Sequence, residues 1–264
     1  MTILRRIVVT PIITCAVILA GGYWIAPIAL SFYAANRVPA SARIVPSDLQ
    51  DHSVSQASGL RLSYVGYDFE VPWSDLEDAK TRLYPKDKAD KTEVVLGFRS
   101  GLRLVVTTIP ARQFAHVFSP DFTMSPKQID AVYGEGAATS DYAFASNVYN
   151  FSPDKMHYWS LKSEDHYRDD AMLNMKSILP AEPAATGIFR IQNGSYKGFQ
   201  QGNPKIRQDN LLVSLYSDDG SVQIRFCQKT YRNSAGVTQA EINRIIQSLQ
   251  HKAENPNAIA QSEK

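Results

Sequence analysis

The sequence predicts an α+β fold, an antiparallel β-sheet packed with helices on its faces and preceded by one N-terminal transmembrane helix. Three observations predict it. An uncharged run of thirty residues, Ile7 to Asn36, lies between Arg6 and Arg37. Downstream, strand-like alternation is joined by tight-turn signals, and hairpin connections demand antiparallel pairing. Between and after the strands come stretches opened by Ser-Pro pairs or a capping box, the marks of helix starts.

The run comes first. Thirty residues at about 1.5 Å per residue exceed the roughly 30 Å of a bilayer core. Tyr23, Trp24 and Tyr33 are amphipathic rings suited to interfacial depth. A cleaved secretory signal is the rival reading, with Arg5-Arg6, an apolar stretch to Leu19, and small residues at Ala20-Gly21-Gly22. Apolar character resumes after Gly22 for ten more residues, which favours a retained anchor over residues 1–37. Short heads before long domains commonly stay inside, so the bulk of the chain is expected to be extracytoplasmic. Residues 38–59, rich in Ser, Ala, Pro and Asp, read as a linker.

The domain is expected over residues 60–250. Leu60 to Val71 alternates apolar and polar residues, with a phase change at Val65-Gly66 that predicts a bulge or bend. Lys86 to Lys91 is a mixed-sign charge run, expected as a solvated loop. Val94 to Arg99 and Leu102 to Ile109 form a hairpin about Ser100-Gly101. Helices are predicted from Ser125-Pro126, over Ser140 to Tyr149, over Ser152 to Leu161, and from Glu164 to Ile178 ahead of Pro180. Asn193-Gly194 joins strands Gly187 to Gln192 and Ser195 to Gln200, because both turn positions need positive φ. A last hairpin pairs Leu211 to Tyr216 with Val222 to Tyr231. Thr238 and Glu241 form a capping box opening a helix with the stripe Ile242, Ile245, Ile246 and Leu249. Residues 251–264 are polar and expected to be disordered.

Three of these pieces resemble the PsbP-like α/β/α sandwich proteins. They are the strand Gly66-Tyr67-Asp68-Phe69-Glu70-Val71-Pro72-Trp73, the hairpin around Ser217-Asp218-Asp219-Gly220, and the closing helix ending Ile245-Ile246-Gln247-Ser248-Leu249. The sequence departs from that group by placing Trp73 directly after Pro72 and by a helical insert from about 120 to 180. The resemblance implies an antiparallel sheet between helices and a non-catalytic accessory role, and it transfers no active-site residues.

Charge excludes some partners. The chain has 28 basic and 26 acidic residues. Arg5, Arg6 and Arg37 lie outside the domain, so the domain itself is near-neutral, which argues against nucleic acid. Its cysteines are Cys15, in the apolar run, and Cys227, which excludes a disulfide framework and a thiolate metal site. No cofactor is implied.

Candidate chemistry is sparse. His166 with Asp169 and Asp170 would share one helix face, a possible oxygen-and-imidazole metal set, set against a solvated helix face. Gly134-Glu135-Gly136 follows a predicted helix, so it reads as helix termination rather than a phosphate loop. No nucleophile elbow is present. The aromatic segment holding Phe144, Tyr149, Phe151, Tyr158 and Trp159 is the candidate interface, with most aromatic rings of the domain expected in the core. The functional expectation is a membrane-anchored extracytoplasmic binding or accessory domain, held by its N-terminal helix and serving an envelope protein partner. The alternative is a membrane-surface hydrolase or metal-dependent enzyme.

Overall fold

The computed structural model describes residues 25–83, 91–118, 123–179, 186–206, 210–228 and 236–252. Residues 1–24, which carry most of the apolar run, lie outside them, as do residues 84–90, with all of the charge run but Lys91, and 253–264 of the tail. Among the described residues no helix is long and apolar enough to cross a membrane.

The fold is α+β. The helix over residues 25–37 (α1) leads into strands β1 (Ser47–Asp48), β2 (Leu60–Tyr64), β3 (Tyr67–Val71), β4 (Leu76–Leu83), β5 (Thr92–Phe98) and β6 (Leu102–Pro110). Helices α2 (Phe114–Phe118), α3 (Pro126–Tyr133), α4 (Asp141–Asn150) and α5 (Ser163–Ile178) follow. Strands β7 (Ile188–Asn193), β8 (Tyr196–Gln201), β9 (Asn210–Ser217) and β10 (Gly220–Gln228), helix α6 (Gln239–Ser248) and β11 (Gln250–His251) complete the chain. Eight strands form one sheet in the order β1-β7-β8-β9-β10-β6-β5-β4, and three form a second, β11-β3-β2. Every pair in the large sheet is antiparallel except β1 with β7, so the sheet is mixed rather than wholly antiparallel. The parallel strand comes from the segment expected as a linker.

Alternation along each strand sorts the large sheet into two faces. One face carries Val94, Leu96, Leu104, Val106, Val213, Leu215, Val222, Ile224 and Phe226, all sealed from solvent. It is closed by the α6 stripe (Ile242, Ile245, Ile246, with Leu249 beyond) and by Leu62, Phe69 and Val71 of the small sheet. The other face presents Ile109, Ile188, Phe199 and Tyr216 to α2, α4 and α5, with Ala35 of α1 in the same cluster. The capping boxes expected at Ser125 and Thr238 are both present.

Several expectations are corrected. Val65 and Gly66 both have positive φ (50° and 80°), so the phase change is a tight hairpin turn and not a bulge; Tyr64 faces Tyr67 across it. Residues 38–59 lie on the domain rather than standing off it. Asn243 donates from its amide to the carbonyls of Asp51 and Ser53, both at 2.8 Å, and Arg244 donates to those of Ser55 and Ala57. His251 pairs with Tyr67 in β11, so order extends past the expected start of the tail.

The helix expected over Ser152 to Leu161 is a single 3-10 turn, Pro153–Lys155, followed by irregular chain. Competing partners take the backbone groups a helix would need. The Tyr158 hydroxyl donates to the Pro153 carbonyl at 2.9 Å, and the His157 N–H donates to the Asp169 carboxylate.

Candidate functional site

Of the predicted interface residues, Phe144, Tyr149 and Phe151 are 2%, 2% and 8% exposed. They are core residues and present no surface. The regular spacing of α4 turns Phe144, Val148 and Tyr149 toward the sheet, where Tyr149 tilts against Phe199 at 4.8 Å between ring centroids. Burial pushes the Tyr149 phenol well above its ordinary range, and its hydroxyl meets the side-chain amide of Gln201. Trp159 is the opposite case at 75% exposed.

Tyr158 and Trp159 meet a partner that their sequence distance hides. Phe32 of α1 stacks on Tyr158 at 4.4 Å with an interplanar angle of 17°, and lies edge-on to Trp159 at 5.5 Å. His166 joins the same corner from α5. Its Nε2 faces the Ser160 carbonyl at 2.8 Å, an acceptor only, so Nε2 carries the hydrogen. Nδ1 then accepts from the Ser31 hydroxyl of α1, also at 2.8 Å. The imidazole is buried and both of its nitrogens are occupied, so His166 clamps α1 and the 157–161 turn onto α5. The elements this clamp joins carry exposed apolar side chains: Ile25, Leu30 and Tyr33 on α1, Leu161 in the 157–161 turn and Tyr167 on α5.

The predicted metal set does not assemble. Asp169 turns away from His166 toward His157, whose Nδ1 lies 3.1 Å from Oδ2. The Arg168 guanidinium lies beside the same ring, 3.1 Å from Nδ1 and 3.4 Å from Nε2. The Asp170 Oδ1 is buried and unpartnered, and burial raises its carboxyl above the usual range while His166 nearby pulls it down. Among the described residues no group of three or more His, Cys, Asp or Glu side chains could hold a metal ion.

His157, Arg168 and Asp169 border a cleft of about 500 Å³ with Val132, Tyr133 and Met172 in its wall. No serine, threonine or cysteine is among the described residues that line that cleft, and the hydroxyl on its wall is the Tyr133 phenol, whose pKa burial raises. The pair is a tether that holds the 156–161 turn on α5. Gly134 ends α3 with φ 93° and gathers no phosphate-loop geometry, since the turn's N–H groups are spent on the helix before it, Gly134 donating to the Asp130 carbonyl and Ala138 to the Asp130 carboxylate.

A second buried anchor was not foreseen from sequence. Lys176 of α5 is 4% exposed, and its ammonium donates to three backbone carbonyls: Ile44 at 2.8 Å, Tyr149 at 3.0 Å, and Phe151. These belong to the segment after α1 and to the end of α4. Burial pulls its pKa down to about 8, and Lys155 nearby adds to the effect. The C-terminal position of Lys176 in the helix was the visible signal, but charge at a helix end is ordinarily solvated. No family model, no curated protein and no solved structure matches this chain.

Proposed function

We propose that this protein is a non-catalytic accessory domain, anchored in a membrane by its N-terminal run and carried on the extracytoplasmic side. One observation supports this reading above the others. α1, whose residues 25–36 are the last part of the uncharged run, is packed into the domain core through Ala35 and fastened by the Ser31–His166–Ser160 bridge. An anchor fused to its domain in this way holds the domain close to the bilayer and in one orientation. Phe32, Tyr33 and Trp159 cluster where that helix emerges, and amphipathic rings of this kind favour interfacial depth. The partner proposed for the domain is another envelope protein.

The experiment is extraction and proteolysis of tagged full-length protein in its own membranes. The reading expects retention in the membrane pellet at alkaline pH, and digestion of the domain only when the extracytoplasmic side is opened to protease. Release into the alkaline supernatant, or digestion from the cytoplasmic side, contradicts it. Cross-linking in the same membranes should return a reproducible second chain; the domain recovered alone would count against the accessory role.

The alternative of a membrane-surface hydrolase has the His157–Asp169 pair as its one specific support. His157→Ala abolishing an esterase or phosphatase activity of the purified protein, with melting unchanged, would favour it.

A further inference from the structure

The half of the large sheet that α4 and α5 do not reach has a chemistry of its own. Register places Val95 opposite Val105, Val105 opposite Arg225, and Arg225 opposite Leu212. One step along the strands, Arg103 stands opposite Cys227, and one step the other way Thr107 stands opposite Gln223. All of these side chains share the face opposite the sealed core, and with Arg82, Lys91, Glu93 and Val117 they line a cleft of about 530 Å³. That volume suits a small-molecule ligand.

The charge in this cleft is one-sided although the domain is near-neutral. Among the described residues that line it, four cations, Arg82, Lys91, Arg103 and Arg225, stand with a single carboxylate, Glu93. Arg82 reaches that carboxylate at 3.8 Å. Arg103 and Arg225 have no carboxylate within ion-pair reach among the described residues, and they flank Cys227 closely enough that both guanidiniums pull its thiol pKa down against the larger upward push of burial. Beside them lies an apolar floor of Val95, Val105 and Leu212, whose side chains a purely solvated strand face would not need.

We infer that this cleft binds a small amphiphilic anion, a phosphate or carboxylate head held by Arg103 and Arg225 with an apolar body lying on Val95 and Val105, over the buried Leu212. Guanidinium groups suit the head because their planar fork matches two oxygens of a phosphate or carboxylate. The two half-buried valines supply the area that free phosphate would leave unused.

Full-length protein in nanodiscs of zwitterionic lipid, titrated with hexyl phosphate and corrected against empty nanodiscs, tests the assignment. Saturable binding at one site is expected, with affinity falling at least tenfold in Arg103→Ala and in Arg225→Ala. Both arginines are exposed, so the variants should melt as the wild type does. Bound hexyl phosphate should also slow alkylation of Cys227, a readout that fixes the location independently of the variants. Equal affinity in the two variants, unaltered alkylation of Cys227, or equally tight binding of hexyltrimethylammonium would overturn the inference. Inorganic phosphate binding as tightly as hexyl phosphate would overturn the amphiphile and leave a bare phosphate site.

Discussion

The two faces of the large sheet are held by different physics. The face under α6 and the small sheet is closed mainly by apolar side chains, with Phe226, Leu104, Val213 and Ile245 fully buried, beside one buried amide network in which Gln239 of α6 meets Gln200 and Asn243. The face under α4 and α5 is closed by an apolar layer and also by buried polar pins, in which Lys176 and His166 bind chain segments far away in sequence and Asp169 holds the nearby 156–161 turn. Apolar closure is non-directional and follows strand and helix periodicity. Polar pins are directional, and they fix where irregular chain runs, because a buried charge or imidazole must find its partners.

The comparison is broken most strongly on the apolar face. Phe226→Ala removes a ring that is wholly buried, and the cavity left behind should cost about 4 kcal/mol of unfolding free energy in urea titration. A loss below about 1 kcal/mol would mean that α6 and the small sheet do not close on that strand.

Lys176→Met comes next, at about 3 kcal/mol, because it strands three buried carbonyls that the ammonium now satisfies. This position also carries a pH signature. Its folded-state pKa of about 8 lies below the 10.5 of an ordinary lysine. Between these values the unfolded chain binds the proton more fully, so stability rises with pH across the window. The wild type should therefore gain stability relative to Lys176→Met from pH 8 to 9.5, as read by parallel urea titrations. A constant difference would place the ammonium in water.

The tether of the 156–161 turn is a smaller test. Asp169→Asn keeps the shape but weakens the acceptor for the His157 N–H and ring, and should cost about 2 kcal/mol. The Ser31→Ala change removes one hydroxyl donor to His166 and should cost about 1 kcal/mol, while loosening α1 in amide exchange more than it lowers global stability. Trp159→Ala should shift stability by less than about 0.5 kcal/mol, since an exposed side chain carries little of the fold.

The legible part of the molecule follows the same division. The hairpins at Ser100-Gly101, Asn193-Gly194 and Asp218-Asp219 and the α6 stripe were readable because turn chemistry and period-two or 3.6-residue patterns are local. Strand β4 was not readable, since its residues Glu77 to Arg82 are exposed and carry no apolar alternation; it exists because it pairs with β5. The docking of residues 38–59 was hidden for a related reason. Ser, Ala and Pro composition says nothing of the Asn243 and Arg244 side chains that receive the segment nearly two hundred residues later. At the candidate site, Trp159 and Tyr158 were found by their bulk and Phe32 was missed, because a ring inside an apolar run reads as lipid-facing. His166 and Asp169 were rightly singled out on one helix, but helix spacing could not say that each would turn to a partner outside that helix.

The central claim is that α1 and the domain form one body with the Phe32–Tyr158–Trp159 corner against the bilayer. The most direct measurement is tryptophan fluorescence of full-length protein in nanodiscs built with brominated lipid, taken as the difference between wild type and Trp159→Phe. The account predicts that the Trp159 component is blue-shifted and quenched by bromine near the headgroup end of the acyl chains. A Trp159 component that is red-shifted as in water and indifferent to bromine at any depth would contradict it.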